Sequence, residues 1–201
     1  MKPHIQFLTS AASEKQFPTP GVPEIAFLGR SNVGKSSLLN SLARTKIAHV
    51  SSTPGRTRTI NFFSVTWNPE QGNPDLLLVD VPGYGYAKVS RAVSASWASF
   101  VNPYLEKRKT LALCVVLVDA NVPPQASDNS LLDFLRSARR NFVVVATKSD
   151  KLSGNRLQNA LHRLSRVHQL KEIMPYSAKT GFGREPLWRK IREAISRTTH
   201  S

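Results

Sequence analysis

Short apolar runs alternate with stretches of helical periodicity along most of the chain. Apolar runs bounded by turn residues predict buried strands, and they fall at 24–28, 60–67, 76–81, 111–119, 142–147 and 172–176. Between them, apolar residues recur every three or four positions and predict helices at 35–43, 94–107, 127–139, 156–167 and 186–196. Strands that alternate with helices are typical of a mostly parallel sheet with helices on both faces. The pattern therefore predicts an α/β protein with a six-stranded sheet in three layers.

Two segments interrupt this alternation. The polar, Pro- and Gly-containing stretch 67–74 predicts a hairpin loop, so one edge strand of the sheet is expected to be antiparallel. Residues 1–23 hold a short apolar patch around Phe7 and then a Pro/Gly-rich connector, 17–23. A length of 201 residues suits one domain with a sizeable core. We therefore expect residues 1–23 to form an extension packed on a single domain, 24–201.

The chain is strongly basic, with 28 Lys and Arg against 13 Asp and Glu, a net charge of +15. Such a balance favours a polyanionic partner, either nucleic acid or an anionic membrane surface; an inert basic surface is the alternative. The single cysteine, Cys114, lies in an apolar run and cannot form a disulfide within the chain. The apolar runs are too short for a membrane span or a signal peptide. These features predict a soluble, cytoplasmic protein.

Residues 29–36, Gly-Arg-Ser-Asn-Val-Gly-Lys-Ser, fit the phosphate-binding pattern G-x-x-x-x-G-K-[ST] between a predicted strand and a predicted helix. Gly29 and Gly34 let the backbone curl so that its N–H groups converge on phosphate oxygens. Lys35 can reach the β- and γ-phosphates, and the Ser36 hydroxyl can bind Mg²⁺. The alternative is a Gly/Ser loop that matches by chance, which the strand–loop–helix context disfavours.

In open α/β sheets, ligands bind beyond the carboxyl ends of the strands, so further chemistry is expected there. Near the end of the predicted strand 76–81, Val79 leads into Asp80-Val81-Pro82-Gly83. Asp80 is placed to hold Mg²⁺ through water, and Gly83 can bring its N–H close to a γ-phosphate. A Pro-Gly turn without a ligand is the alternative.

The next two strand ends carry residues suited to a purine base. In Thr-Lys-Ser-Asp, 147–150, the Asp150 carboxylate can accept hydrogen bonds from the guanine ring N–H and exocyclic amine, donors that adenine lacks on that edge. Lys148 can lie over the base plane and brace the phosphate loop. After the last strand, the Ala178 N–H can meet the guanine carbonyl while Lys179 covers the base. A helix-capping Ser/Asp pair is the alternative for 147–150.

These motifs, in this order, resemble those of the translation-factor-related P-loop GTPases, and more closely the bacterial EngB (YihA/YsxC) GTPases. The closer resemblance is carried by 29–36, by Thr53-Pro54-Gly55-Arg56-Thr57 and by the stretch 80–87, and it covers almost the whole chain. It implies a P-loop NTPase fold, GTP and GDP as ligands, Mg²⁺, and a role in assembling the large ribosomal subunit with a linked requirement in cell division and septation. It also implies that Thr57 binds Mg²⁺ and senses the γ-phosphate; a plain flexible loop is the alternative.

Motifs and resemblance together assign a set of site residues. The predicted nucleotide-binding residues are Gly29, Arg30, Ser31, Asn32, Val33, Gly34, Lys35, Ser36, Ser37, Gly55, Arg56, Thr57, Arg58, Thr59, Asp80, Val81, Pro82, Gly83, Thr147, Lys148, Ser149, Asp150, Tyr176, Ser177, Ala178 and Lys179. The predicted catalytic residues are Lys35 and Thr57. The predicted Mg²⁺ ligands are Ser36, Thr57 and, through water, Asp80.

Two positions bear on the rate of hydrolysis. Many GTPases place Gln directly after Asp-x-x-Gly, but this chain has Tyr84, and a phenol is a poor substitute for an amide that orients water. Slow intrinsic hydrolysis is therefore predicted. Some related GTPases bind K⁺ through an Asn at the position of Asn32, which makes Asn32 a candidate K⁺ ligand; a hydrogen bond within the loop is the alternative. Residues 84–89 are predicted to form a partner-facing loop. The alternative is that Tyr84 and Tyr86 pack inward.

More than half of the net charge lies in residues 151–201, where eleven Lys or Arg face three Glu, a net of +8. Ribosomal RNA or a large-subunit precursor is the natural partner for such a surface, and a monomer is expected. The cationic residues assigned to it are Arg156, Arg163, Arg166, Lys171, Arg189, Arg192 and Arg197. The alternative function is an RNA-binding scaffold that binds GTP with negligible turnover. Asp150 disfavours an ATP-using kinase.

Overall fold

The computed structural model describes residues 3–48, 59–84 and 100–198. Its strands are β1 (His4–Ala11), β2 (Glu24–Gly29), β3 (Ile60–Thr66), β4 (Leu76–Asp80), β5 (Leu111–Asp119), β6 (Phe142–Thr147) and β7 (Met174–Pro175). Its helices are α1 (Lys35–Ala43), α2 (described over 100–107), α3 (Ala126–Ser137), α4 (Gly154–Val167) and α5 (Arg184–Thr198). The first part of the predicted helix 94–107 lies outside the described residues.

The seven strands form one sheet in the order β1-β3-β4-β2-β5-β6-β7. Strands β4, β2, β5, β6 and β7 run parallel to one another, whereas β3 is antiparallel to both of its neighbours, β1 and β4. Strands β3 and β4 are joined through the loop that the sequence predicts as a hairpin. The prediction of a mostly parallel sheet is thus confirmed.

The sheet has one strand more than predicted because β1 pairs with β3 and takes the edge position. Its sequence gives a weak strand signal, since only Ile5 and Ala11 are buried while Phe7 and Leu8 are 57% and 49% exposed. The pairing also shifts register between Phe7 and Thr9. The antiparallel strand β3 therefore lies inside the sheet and not at its edge.

Helices cover both faces of the sheet, as the alternating pattern predicts. Helices α1 and α5 pack on one face, around Leu39 and Ile191. Helices α2, α3 and α4 pack on the other, around Tyr104, Leu132 and Leu164. Every residue of β2 is buried, and every residue of β5 except Ala112. Continuous burial on both faces explains why these strands are uninterrupted apolar runs in the sequence.

A buried ionic cluster ties the segment before β2 to the rest of the fold. Glu24, 1% exposed, accepts hydrogen bonds from Tyr104 Oη at 2.9 Å, from Arg108 Nε at 2.8 Å and from Thr110 Oγ1 at 2.8 Å. Arg108 also donates to the Pro18 carbonyl at 2.6 Å. A buried carboxylate is tolerated only when it is paired and hydrogen-bonded in this way. Among the described residues, no helix has the length and apolarity that crossing a membrane requires.

Candidate nucleotide-binding site

The predicted phosphate-binding loop connects β2 to α1, at the edge where the parallel strands end. Asn32 and Gly34 have positive φ angles of 64° and 101°, and Gly34 is the N-cap of α1. At Gly29 a Cβ atom would lie 2.7 Å from Val33 Cγ1 and 3.1 Å from Leu117 Cβ, so only glycine fits between the loop and β5. The loop therefore curls in front of the first turn of α1, where a helix favours anions.

The predicted phosphate-binding lysine and the predicted Mg²⁺-holding carboxylate lie together. Lys35 is the first residue of α1, and its Nζ donates to Oδ1 of Asp80 at the end of β4. Both side chains are largely buried, at 11% and 7% exposure. Ser36 and Ser37 follow in the first turn of α1 and are half-buried. A hydroxyl and a carboxylate are the oxygen donors that Mg²⁺ prefers, so Ser36 and Asp80 fit this ion.

Four predicted site residues, Gly55, Arg56, Thr57 and Arg58, lie outside the described residues. Thr59 is described, and its hydroxyl donates to Asn61 Oδ1 in β3 at 3.2 Å. The assignment of Thr57 as an Mg²⁺ ligand therefore remains a prediction.

The segment after β4 lies directly against the phosphate-binding loop. The Tyr84 N–H donates to the Gly29 carbonyl at 3.3 Å, and the Ser31 N–H donates to the Tyr84 carbonyl at 3.2 Å. Between these bonds, a Cβ atom on Gly83 would lie 3.1 Å from Ser31 N and 3.3 Å from Gly29 O. Val81 and Pro82 are buried. Gly83 is therefore held close to the loop, where a side chain would not fit easily.

The Tyr84 side chain points to α3, as the inward-packing alternative predicts for this residue. Its hydroxyl donates to Asp128 Oδ1 at 3.1 Å, and Arg30 Nε of the phosphate-binding loop forms an ion pair with the same oxygen at 3.3 Å. Asp128 is 2% exposed. Burial raises the pKa of Asp128, against the opposing charge of Arg30. Burial and the nearby Asp128 charge raise the pKa of the Tyr84 phenol well above its usual range. Tyr86 lies outside the described residues.

The two predicted base-recognition segments are in direct contact. Asp150 Oδ1 accepts a hydrogen bond from Ser177 Oγ at 2.6 Å, and Ser177 Oγ accepts one from the Thr180 N–H at 3.2 Å. The Ser149 N–H donates to the Tyr176 carbonyl at 3.1 Å. The Ser177 hydroxyl is the main cause that lowers the pKa of Asp150. An ionised, exposed carboxylate is thus held in one orientation, as an acceptor of guanine donors requires.

The base-recognition strand is also tied to the phosphate-binding loop. Lys148 Nζ donates to the Asn32 carbonyl at 2.9 Å and to Asp119 Oδ2 at 2.7 Å. Thr147 Oγ1 donates to the Val33 carbonyl at 2.6 Å. Burial alone would raise the pKa of Asp119, but the hydrogen bonds from Lys148 and Asn121 lower this pKa overall. These contacts join the phosphate-binding loop to the strand end that leads to Asp150, so the phosphate and base subsites lie side by side.

Two further predicted residues differ in what they offer. Ala178 is half-buried and Lys179 is exposed, so both can face a base. Tyr176 is 1% exposed, and its hydroxyl donates to Ser41 Oγ in α1 at 2.9 Å. Only its backbone belongs to the base-recognition edge, because the ring fills the core between β7 and α1.

Comparison with known proteins identifies this arrangement. A family model described as "50S ribosome-binding GTPase" matches residues 24–148. A probable GTP-binding protein EngB from Acidobacterium capsulatum is 52% identical over 201 residues, which are 100% of this chain and 95% of that protein. One from Koribacter versatilis is 54% identical over 189 residues, covering 94% and 93%. This chain belongs to the EngB family of GTP-binding proteins.

Solved structures agree with the family assignment. A crystal structure of a probable GTP-binding protein engB has a TM-score of 0.70 and 26% identity, covering 87% of this chain and 99% of that one. A variant of Era from Aquifex aeolicus bound to GDP·AlF4⁻ has a TM-score of 0.72 and 26% identity, covering 88% and 57%. The P-loop GTPase fold and the EngB resemblance predicted from the sequence are confirmed.

Two acidic residues at this site are absent from the sequence-based assignment. Asp119 pairs with Lys148 and stands at the carboxyl end of β5, so the strand-end rule that singles out Asp80 and Asp150 also applies to it. Asp128 lies within α3 and reaches Arg30 and Tyr84 only through the tertiary fold. No local pattern distinguishes it from an ordinary helical carboxylate.

Proposed function

We propose that this protein is a cytoplasmic, monomeric GTPase that acts as a nucleotide-dependent switch in assembly of the large ribosomal subunit, with a linked requirement in cell division and septation. The observation that carries the proposal is the Asp150 carboxylate, held by Ser177 at 2.6 Å on the same edge as the phosphate-binding loop. Guanine recognition and phosphate binding then belong to one site. Family membership supports GTP binding and hydrolysis.

In this proposal the phosphates of GTP lie on the backbone N–H groups of the loop at the N-terminus of α1. Lys35 turns from Asp80 to the β- and γ-phosphates, where its charge stabilises the transition state. Mg²⁺, when bound, offsets phosphate charge, and the residues proposed to hold it are Ser36, Thr57 and, through water, Asp80. The Gly83 N–H is proposed to donate to the γ-phosphate and thereby to report the nucleotide state to the segment that follows.

Slow intrinsic hydrolysis is part of the proposal. The Tyr84 hydroxyl donates to Asp128 and so is not aimed at a water beside the phosphates. Within the described part of the chain, the Asn32 side chain has no hydrogen-bond partner and is exposed, which leaves its amide oxygen available to a cation. We therefore propose that K⁺ bound at Asn32 accelerates hydrolysis. Hydrolysis rates in matched KCl and NaCl test this, and equal rates would refute it.

The experiment that tests the proposed function is GTP hydrolysis with and without purified large-subunit particles and, in parallel, small-subunit particles. Stimulation by the large-subunit particles alone is expected. The Lys35→Met variant is the control for contaminating GTPase activity, since it removes the phosphate-binding charge. Absence of stimulation by any particle would favour the second candidate, an RNA-binding scaffold with negligible turnover. The orientation of Tyr84 is the observation that favours this candidate.

A further inference from the structure

We infer that the exposed face of α4 is the surface through which this protein binds the phosphate backbone of ribosomal RNA. The inference rests on the proposed ribosomal function and adds to it the location of the contact. The surface, here called the α4 basic face, consists of Arg156, Arg163 and Arg166. All three side chains are exposed.

Helix α4 separates apolar and polar residues sharply. Ala160 and Leu164 are buried, and Leu157 and Leu161 pack partly buried against the sheet. The helix contains no Asp or Glu, and no acidic residue occurs between Lys151 and Lys171. The arginines of the α4 basic face extend over about 15 Å of helix at about 1.5 Å per residue. The other exposed polar residues of α4 are Asn155, Gln158, Asn159 and His162.

The arginines of this face are available to a partner. Over residues 3–48, 59–84 and 100–198, the structure gives none of them an ion pair or a side-chain hydrogen bond. Two partly exposed cations elsewhere do have acidic partners. Lys190 pairs with Glu172 at 3.3 Å, and Arg136 pairs with Asp133 at 2.8 Å. Helix α5 also carries Glu185 and Glu193 among its cations. Acidic side chains therefore neutralise the cations of α4 less than they neutralise those of α5.

The side chains on this face suit RNA. Arginine guanidinium groups present a planar fork of donors that matches phosphate oxygens. Asparagine and glutamine amides bond phosphates and, in RNA, the 2′-hydroxyl groups. An amphipathic helix that lies in a membrane surface inserts its apolar face, but the apolar face of α4 is already packed on the core. Apart from Val167, 45% exposed, the helix offers no large apolar side chain to a protein partner.

The position of α4 predicts how binding depends on nucleotide. The helix begins directly after the short 3₁₀ turn Ser149–Lys151 that carries Asp150. Strand β6 precedes α4 in the chain, and β4 leads into Gly83 and Tyr84. Two strands of the sheet, β2 and β5, separate β6 from β4. A change at the γ-phosphate therefore need not move α4. We expect the α4 contribution to RNA binding to be equal with GDP and with a GTP analogue.

The test compares two triple variants with the same change in net charge. One is Arg156→Gln/Arg163→Gln/Arg166→Gln, on the α4 basic face. The matched control is Lys15→Gln/Arg189→Gln/Arg192→Gln, which removes three exposed cations elsewhere. Binding of each full-length protein to purified large subunits and to protein-free large-subunit ribosomal RNA is measured over a salt series, with GDP and with a non-hydrolysable GTP analogue. GDP affinity serves as the folding check, since neither set touches the nucleotide site.

The α4 variant should bind at least about tenfold more weakly near physiological salt, and its slope of log affinity against log salt should be shallower by about two to three. The control should change each quantity much less. Equal losses in both variants, or an unchanged α4 variant, would overturn the inference. An α4 variant that loses binding to anionic lipid vesicles but keeps its binding to RNA would also overturn it.

The two proposals fail differently. If the wild-type protein binds no ribosomal particle but binds protein-free RNA through the α4 basic face, the ribosomal function fails while the RNA surface stands. If it binds neither, both fail. If it binds particles and the α4 variant binds them equally well, only the surface assignment fails.

Discussion

Replacement of Tyr84 by Phe tests whether this residue connects the nucleotide site to α3 or takes part in hydrolysis. The change removes one hydroxyl, which donates to Asp128 at 3.1 Å. A hydrogen bond to a charged group contributes about 1.5–3 kcal/mol to stability. Water cannot readily replace it, because Asp128 is 2% exposed, but the Arg30 ion pair at 3.3 Å remains. We therefore expect the free energy of unfolding to fall by about 1.5 kcal/mol.

The assay is urea unfolding of the wild type, Tyr84→Phe, Asp128→Asn and the double variant. Their double-mutant cycle should give a coupling of about 1 kcal/mol or more. Asp133→Asn is the matched control, because Asp133 lies on the same helix, is exposed and, among the described residues, bonds only Arg136. Its coupling to Tyr84→Phe should be close to zero.

The same variants separate a structural from a catalytic role for Tyr84. A residue that orients or activates the attacking water would cost about 10²–10⁴ in rate when lost. We expect Tyr84→Phe to change single-turnover GTP hydrolysis by less than about tenfold. Additive effects on stability, or a loss of hydrolysis greater than a hundredfold with unchanged stability, would refute the assignment of Tyr84 to the α3 contact.

Three further groups of changes test the base site, the core and the pH response. Asp150→Asn should weaken GTP binding by at least about 10² and favour xanthine nucleotides. Ser177→Ala should weaken GTP binding by about tenfold, because it frees the Asp150 carboxylate. Nucleotide titrations that show an unchanged guanine preference in Asp150→Asn would contradict this. Arg108→Met should lower the free energy of unfolding by about 3–5 kcal/mol by leaving Glu24 buried and unpaired, and adding Glu24→Gln should restore part of it in urea melts. Burial lowers the pKa of His168, so the folded state binds a proton at this residue less readily than the unfolded state does. The free energy of unfolding should therefore fall as pH drops below about 6.5. His168→Gln should show a smaller fall between about pH 7.5 and 5.5.

The sequence predicts β2, β4 and β5 well because nearly all of their residues are buried, so that each strand is a nearly continuous apolar run. The same continuity locates Asp80, which ends β4, and Asp150, which lies three residues after the end of β6. Strand β1 is missed because it lies at the sheet edge, with Phe7 and Leu8 exposed, and so lacks either strand pattern. At the other edge, the predicted strand 172–176 shortens to β7, Met174–Pro175.

The role of α3 could not be predicted in the same way. Asp128 is 44 residues from Tyr84 in the chain, and their contact depends on how α3 packs beside the phosphate-binding loop. Asp119 differs, since it ends β5 and could have been found from the strand-end rule. Local patterns thus locate residues that the backbone places directly, but they do not locate residues that reach the site through packing.

Binding to separated ribosomal subunits in the two nucleotide states is the most direct test of the proposed switch. The protein should co-sediment with large subunits and not with small subunits, and it should bind at least about tenfold more tightly, or about 1.4 kcal/mol, with a non-hydrolysable GTP analogue than with GDP. Equal affinity in the two nucleotide states, or a preference for the small subunit, would contradict a GTP-dependent switch on the large ribosomal subunit.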